Sequence, residues 1–138
     1  MWASAEKQIA APLETVWNVL SDLPNWRSWN PDVQSMEVRG PIEPGTDFVW
    51  KAGGLTIRSQ IQEVVPPARI AWTGRTMTIR AVHTWVLEGH GDSTLVRTEE
   101  SFEGVLASVF SGPLRTSLSK SLSSSLDALA EACEKRPS

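Results

Sequence analysis

Tyrosine is absent and cysteine occurs once, at Cys133, so the chain has neither an internal disulfide nor a cysteine-built metal site. Cys133 falls on the apolar face of a helical segment and reads as inert packing. Excess positive charge is also lacking. The 13 Lys and Arg against 16 Asp and Glu leave a net charge of −3, with no basic run to neutralise phosphates. That excludes a general nucleic-acid binder. No apolar stretch approaches the ~18 residues of a membrane span, so integral membrane association is not expected. Charge precedes any apolar run at the N-terminus, which argues against a secretory leader and for a cytoplasmic location.

Catalytic signatures are missing as well. There is no Gly-x-Ser-x-Gly elbow, phosphate loop or dinucleotide fingerprint. Ala52-Gly53-Gly54 falls in a hairpin rather than before a helix, so it is no phosphate cradle. His83 and His90 differ by an odd number on one strand, face opposite sides and do not share a metal. Neither cofactor nor metal is expected.

What is present is a chain of 138 residues, enough for one domain over 1–138 with a real core. Seven of its residues are tryptophan. An indole buries ~150–250 Å², so these rings either fill a heavy core or wall a cavity for an apolar ligand.

The order of elements narrows the choice. A first strand spans 2–10. Pro12 suits a helix start, and Leu13, Val16, Trp17 and Leu20 follow at helical spacing, giving a helix near 12–22. A second short helix, near 24–29, has Asp22 as its expected cap and stops at Asn30-Pro31. Turn signals then recur at strand-length intervals. Strands are expected at 33–39, 46–51, 55–65, 69–73, 77–88 and 94–102, an antiparallel meander with no room for helical crossovers. Val64 and Val65 break the phase of the long strand, which implies a bulge. Leu114, Leu118, Leu122, Leu126, Leu129 and Cys133 form one stripe of a helix over 113–134. Its many serines make it a weak isolated helix, so the stripe must pack on the sheet. A curved sheet of about seven strands wrapped around one slim helix leaves a cavity of roughly 300–1,000 Å³ between them.

Ile9-Ala-Ala-Pro-Leu-Glu-Thr-Val-Trp17, Leu20-Ser-Asp-Leu-Pro-Asn-Trp26 and Trp29-Asn-Pro-Asp-Val33 resemble the opening of polyketide cyclase/dehydrase-like members of the START-like (SRPBCC) superfamily. These are relatives of the major birch-pollen allergen. Pro44-Gly-Thr46, Glu63 through Trp72, Ser93 through Val96 and Glu99 through Gly104 match later landmarks in order. The resemblance implies an α+β helix-grip fold. In it a curved seven-stranded antiparallel sheet wraps a long C-terminal helix, with two short helices after strand one and a hydrophobic pocket inside. The superfamily holds carriers, cyclases, receptors and chaperone regulators, so fold alone does not name the ligand.

Strand alternation selects the wall. Phe48, Trp50, Ile57, Ile61, Trp72, Trp85 and Phe102 fall on the inner face, and Trp26, Phe110 and Leu118 come from flanking segments. Of Trp26, Trp29, Trp50, Trp72 and Trp85, about half are expected to touch the cavity. The polar inward residues are His83, Thr98 and Glu100. Glu100, on an apolar face, is expected either to pair with His83 or to be held toward its neutral form. Thr98 is placed to orient a ligand oxygen, and Arg58 is turned out by alternation. The mouth is expected near the 52–54 turn and the 105–112 segment, of which 105–110 reads as a short helix or lid. These readings imply a protein that binds a small hydrophobic or aromatic molecule of polyketide, lipid or isoprenoid type, as monomer or homodimer. An alternative is a cyclase or dehydratase that moves protons through Glu100 or His83, and a second is a protein-interaction module.

Overall fold

Turn residues divide the middle of the chain into a meander whose hairpins alternate between the two ends of one sheet. In the computed structural model, which describes residues 2–76, 79–104 and 111–135, the strands are β1 (Trp2–Ile9), β2 (Val33–Val38), β3 (Asp47–Ala52), β4 (Leu55–Val65), β5 (Arg69–Thr76), β6 (Ile79–His90) and β7 (Ser93–Glu103). They form one antiparallel sheet in the order β1-β7-β6-β5-β4-β3-β2. Between β1 and β2 lie helix α1 (Leu13–Leu20) and a six-residue 3-10 helix (Leu23–Ser28); helix α2 (Ser111–Glu134) closes the chain. This is the helix-grip arrangement.

α2 is held by packing rather than by intrinsic preference. Leu122, Leu126, Leu129 and Cys133 are buried on its inner face, while Ser123 and Ser124 are exposed. Each buried leucine contributes about 1.5–3 kcal/mol relative to an exposed one, which offsets the weak helix propensity of the serine run. Among the described residues, no helix is long and apolar enough to cross a membrane.

Two details differ from the sequence reading. β5 does not end at Thr73 but runs to Thr76, with Gly74 and Arg75 inside the strand. An added Cβ at Gly74 would meet Ile57 Cγ2 at 3.5 Å, an ordinary contact. Asp22 occupies the N-cap position of the second helix, but its side chain makes no capping hydrogen bond. Its Oδ2 accepts a 2.6 Å hydrogen bond from Asn25 Nδ2 instead, and the helix is 3-10. The segment 105–110, read as a short helix or lid and including Phe110, lies outside the described residues. The irregularity expected in β4 is present, as a register shift between Ile61 and Glu63.

Candidate functional site

The inner face of the sheet changes from large to small side chains toward one end. On β5 the inward series is Ile70, Trp72, Gly74; on β6 it is Trp85, His83, Ala81. Cross-strand register aligns these as rows. Ile70 stands opposite Trp85, Trp72 opposite His83, and Gly74 opposite Ala81. The first row is solid core, with Ile70 and Trp85 both fully buried. The third row has little side-chain volume on these two strands, and a cavity of about 480 Å³ opens over it, with Phe102 opposite Ala81 on β7 and the pair Thr76 and Ile79 beyond as further wall. It lies within the size range of small-molecule sites. Small residues on both sides line it, Gly74 and Ala81 on the sheet and Ser117, Ser121 and Ser125 on α2.

Three tryptophans wall it, Trp26, Trp50 and Trp72, together with Ile57, Phe102, Leu118 and Leu122. Their positions are fixed by an aromatic cluster. Trp26 is the hub, with ring centroids 5.4 Å from Trp72, 6.2 Å from Trp50 and 6.0 Å from Trp85, all near edge-to-face. Such pairs contribute ~0.5–1.5 kcal/mol beyond area burial. Trp26 Nε1 donates to the Leu20 carbonyl at 2.8 Å, which ties the hub to the end of α1. Trp50 Nε1 donates to Ser59 Oγ at 3.0 Å. Exposed Gly53 and Leu55 stand at the rim on the β3–β4 hairpin, and Ser117, Ser121 and Ser125 line the α2 side.

His83 and Glu100 supply the polar floor. They face each other across β6 and β7, and Trp72 flanks His83 from β5. His83 stacks on Trp85, with centroids 5.2 Å apart and planes at 27°. Its Nε2 shares a 2.7 Å hydrogen bond with Thr98 Oγ1, and its Nδ1 lies 3.8 Å from Glu100 Oε2, beyond hydrogen-bond length. Burial pushes the imidazole pKa down to about 3, so the ring is neutral at physiological pH. Burial also pushes the Glu100 carboxyl up to about 7. A carboxylic acid near half-ionisation can therefore donate or accept a proton inside an apolar cavity. Among the described residues the wall includes one further acid, Asp32, and no Lys or Arg. Among the described residues no group of three or more His, Cys, Asp or Glu is arranged to hold a metal ion.

Of the expected wall residues, Trp26, Trp50, Ile57, Trp72, His83, Glu100, Phe102 and Leu118 line this cavity. Phe48, Ile61, Trp85 and Thr98 do not. They face inward as alternation required, yet are essentially unexposed, in the core behind the wall. Thr98 spends its hydroxyl on His83 rather than on a ligand. Of the five tryptophans considered, Trp29 and Trp85 stay off the wall. Sequence reading missed Gly74, Ala81, Asn30 and the serines of α2. The small residues were legible only as a turn signal and a gap in the apolar pattern.

A sheet gripping a long helix over an apolar, aromatic-walled cavity defines a START-like domain. The chain belongs to the family described as polyketide cyclase / dehydrase and lipid transport, which matches residues 3–134. Among curated proteins no match is found. Several solved structures share the fold. A hypothetical protein of Helicobacter pylori superposes with a TM-score of 0.86 at 19% identity, covering 96% of this chain and 88% of that one. The Zhui aromatase/cyclase of Streptomyces sp. R1128 superposes with a TM-score of 0.83 at 16% identity, covering 99% and 94%. A START superfamily protein of Mycobacterium smegmatis gives 0.75 at 19% identity, covering 96% and 94%.

Proposed function

We propose that the protein binds a small, largely apolar or aromatic molecule in the cavity over Gly74 and Ala81, with Glu100 and His83 as its polar contacts. The observation that carries this reading is the void itself. Three indoles meet at one place and leave about 480 Å³ unfilled, whereas a packed interior has few voids larger than a water molecule. The neutral floor supports a ligand whose oxygen makes one or two hydrogen bonds while its body lies on Trp26, Trp50 and Trp72. A neutral environment-sensitive dye such as Nile red should bind with enhanced emission and alter tryptophan fluorescence. Ala81→Leu, which fills the void, should abolish that signal in a folded protein. If the wild-type protein neither binds such a dye nor loses it on filling, the interaction-module reading takes its place.

A second reading is acid–base catalysis of cyclase or dehydratase type. It rests on the carboxyl of Glu100 being raised to about 7 beside a neutral histidine, the condition for proton transfer near neutral pH. Structural neighbours named as aromatase/cyclases favour the same chemistry. With a poly-β-ketone substrate, Glu100→Gln should keep binding and lose turnover; equal turnover would leave binding alone.

A further inference from the structure

The outer face of the sheet carries an arrangement that folding alone does not favour. Arg58 on β4 stands directly opposite Arg75 on β5, and Arg75 directly opposite Arg80 on β6. Three guanidinium side chains thus leave adjacent strands side by side, across two spacings of about 4.8 Å. Like charges placed directly opposite destabilise a sheet. Arg80 pairs with Glu103 at 3.2 Å, whereas Arg58 and Arg75 have no carboxylate within ion-pair distance among the described residues. Lys51, one strand further on and exposed, faces the same side. In a chain of net charge −3, Lys51, Arg58 and Arg75 are cations of this face that make no ion pair among the described residues, while Glu103 offsets Arg80.

The surroundings of the arginines mix exposed apolar side chains with polar and acidic ones, Thr73, Thr84, Ser101, Glu99 and Glu103. Val82 follows Arg80 on the same face and is 44% exposed; Trp2, opposite Ser101 on β1, is 52% exposed. Ser101 in turn stands opposite Val82, so Trp2 continues the same outer surface. Leu55, 47% exposed, lies at the tip of the β3–β4 hairpin and belongs to the cavity rim. The arginines alternate along β5 and β6 with cavity-wall residues: Gly74 and Thr76 flank Arg75, and Ile79 and Ala81 flank Arg80. The cationic ladder and the cavity therefore occupy the two faces of one end of the sheet.

We propose that this end of the molecule docks on an anionic lipid bilayer, with Arg58, Arg75 and Arg80 against headgroup phosphates and Trp2 and Leu55 in the interfacial layer. A clustered basic surface beside exposed tryptophan and leucine fits a membrane that is negative at its surface and apolar beneath. It also brings the cavity rim against the phase in which an apolar ligand dissolves. The docking goes beyond ligand binding and reads a different face of the sheet.

The test is co-sedimentation of the whole chain with vesicles of phosphatidylcholine alone and of phosphatidylcholine with phosphatidylglycerol. Binding is expected to the anionic vesicles only, to fall as salt rises, and to weaken about five-fold for each arginine neutralised. Arg75→Thr should weaken it while leaving the unfolding midpoint equal or higher, because a repulsive neighbour is removed. Ala81→Leu should leave vesicle binding unchanged even where it abolishes dye binding, so failure of one reading is separable from failure of the other. No binding to anionic vesicles by the folded wild-type chain, equal binding by Arg58→Thr and Arg75→Thr, or capture of an acidic protein with no response to vesicles would overturn the proposal.

Discussion

His83 Nδ1 lies 3.8 Å from Glu100 Oε2 on the neighbouring strand, yet the two are not an ion pair at neutral pH. Burial depresses the imidazole to about 3 and raises the carboxyl to about 7, so both groups favour their uncharged forms in the folded protein. The contact is one between a neutral histidine, held by Thr98, and an acid poised to give up its proton.

The two shifts make opposing contributions to stability. The raised Glu100 pKa favours the fold below about 4.5, and that contribution is lost as pH rises through about 7. The depressed His83 pKa favours the fold above about 6.5, and that contribution is lost as pH falls through about 3. Between roughly 4.5 and 6.5 the slopes cancel, so wild-type stability should be nearly flat there. Glu100→Gln should remove the falling limb and leave stability rising up to about 6.5, with its largest gain over wild type above pH 7. Denaturant unfolding across pH checks this, and a carboxyl resonance titrating near 4.5 would contradict it.

Thr98 is fully buried and gives its hydroxyl to His83. Thr98→Val keeps the shape and orphans His83 Nε2, which should cost about 1–3 kcal/mol. The histidine nitrogen chemical shifts should move at the same time. Unchanged shifts would mean that the hydroxyl does not select the tautomer.

Trp72 is 1% exposed and packs on Trp26, Phe48 and His83. Trp72→Ala therefore tests the core more than the ligand, and should cost about 3–5 kcal/mol. Gly74→Ala is the milder probe. The new Cβ would make only ordinary contacts with Ile57 and Ala81, so dye affinity should fall with little change in unfolding midpoint.

Gly89 on β6 is where α1 approaches the sheet. An added Cβ would meet Leu13 Cβ and Cδ2 at 3.2 Å. Gly89→Val should push α1 from β6 and destabilise by about 1–3 kcal/mol, measured by thermal unfolding. Gly91→Val, in an open turn, should act instead through its left-handed backbone, φ +67°.

The serine run of α2 predicts that a peptide of 111–134 is largely unfolded alone, because ordering such a helix needs tertiary packing. Circular dichroism of the peptide checks this. Leu126→Ala in the whole chain should cost about 2–5 kcal/mol.

The sequence by itself determined the order of elements, the face each inward residue takes, the irregularity in β4 and the apposition of His83 with Glu100. Those features follow from local periodicities of two and near four, and from hairpins too short to permit any other pairing. Tertiary structure decided which inward residues meet empty space. Phe48, Ile61, Trp85 and Thr98 obey the same alternation as Trp50 and Trp72, yet all four are buried: Trp85 and Thr98 lie one row further along the sheet, whereas Ile61 shares the row of Trp72 and His83 and is covered there. Row position depends on cross-strand register, and register put Gly74 against Ala81 to make the void. It also put Arg58, Arg75 and Arg80 in line on the outside. Alternation had shown only that Arg58 faces solvent, since a charge pattern along one strand carries no information about which charges stand beside it on the next.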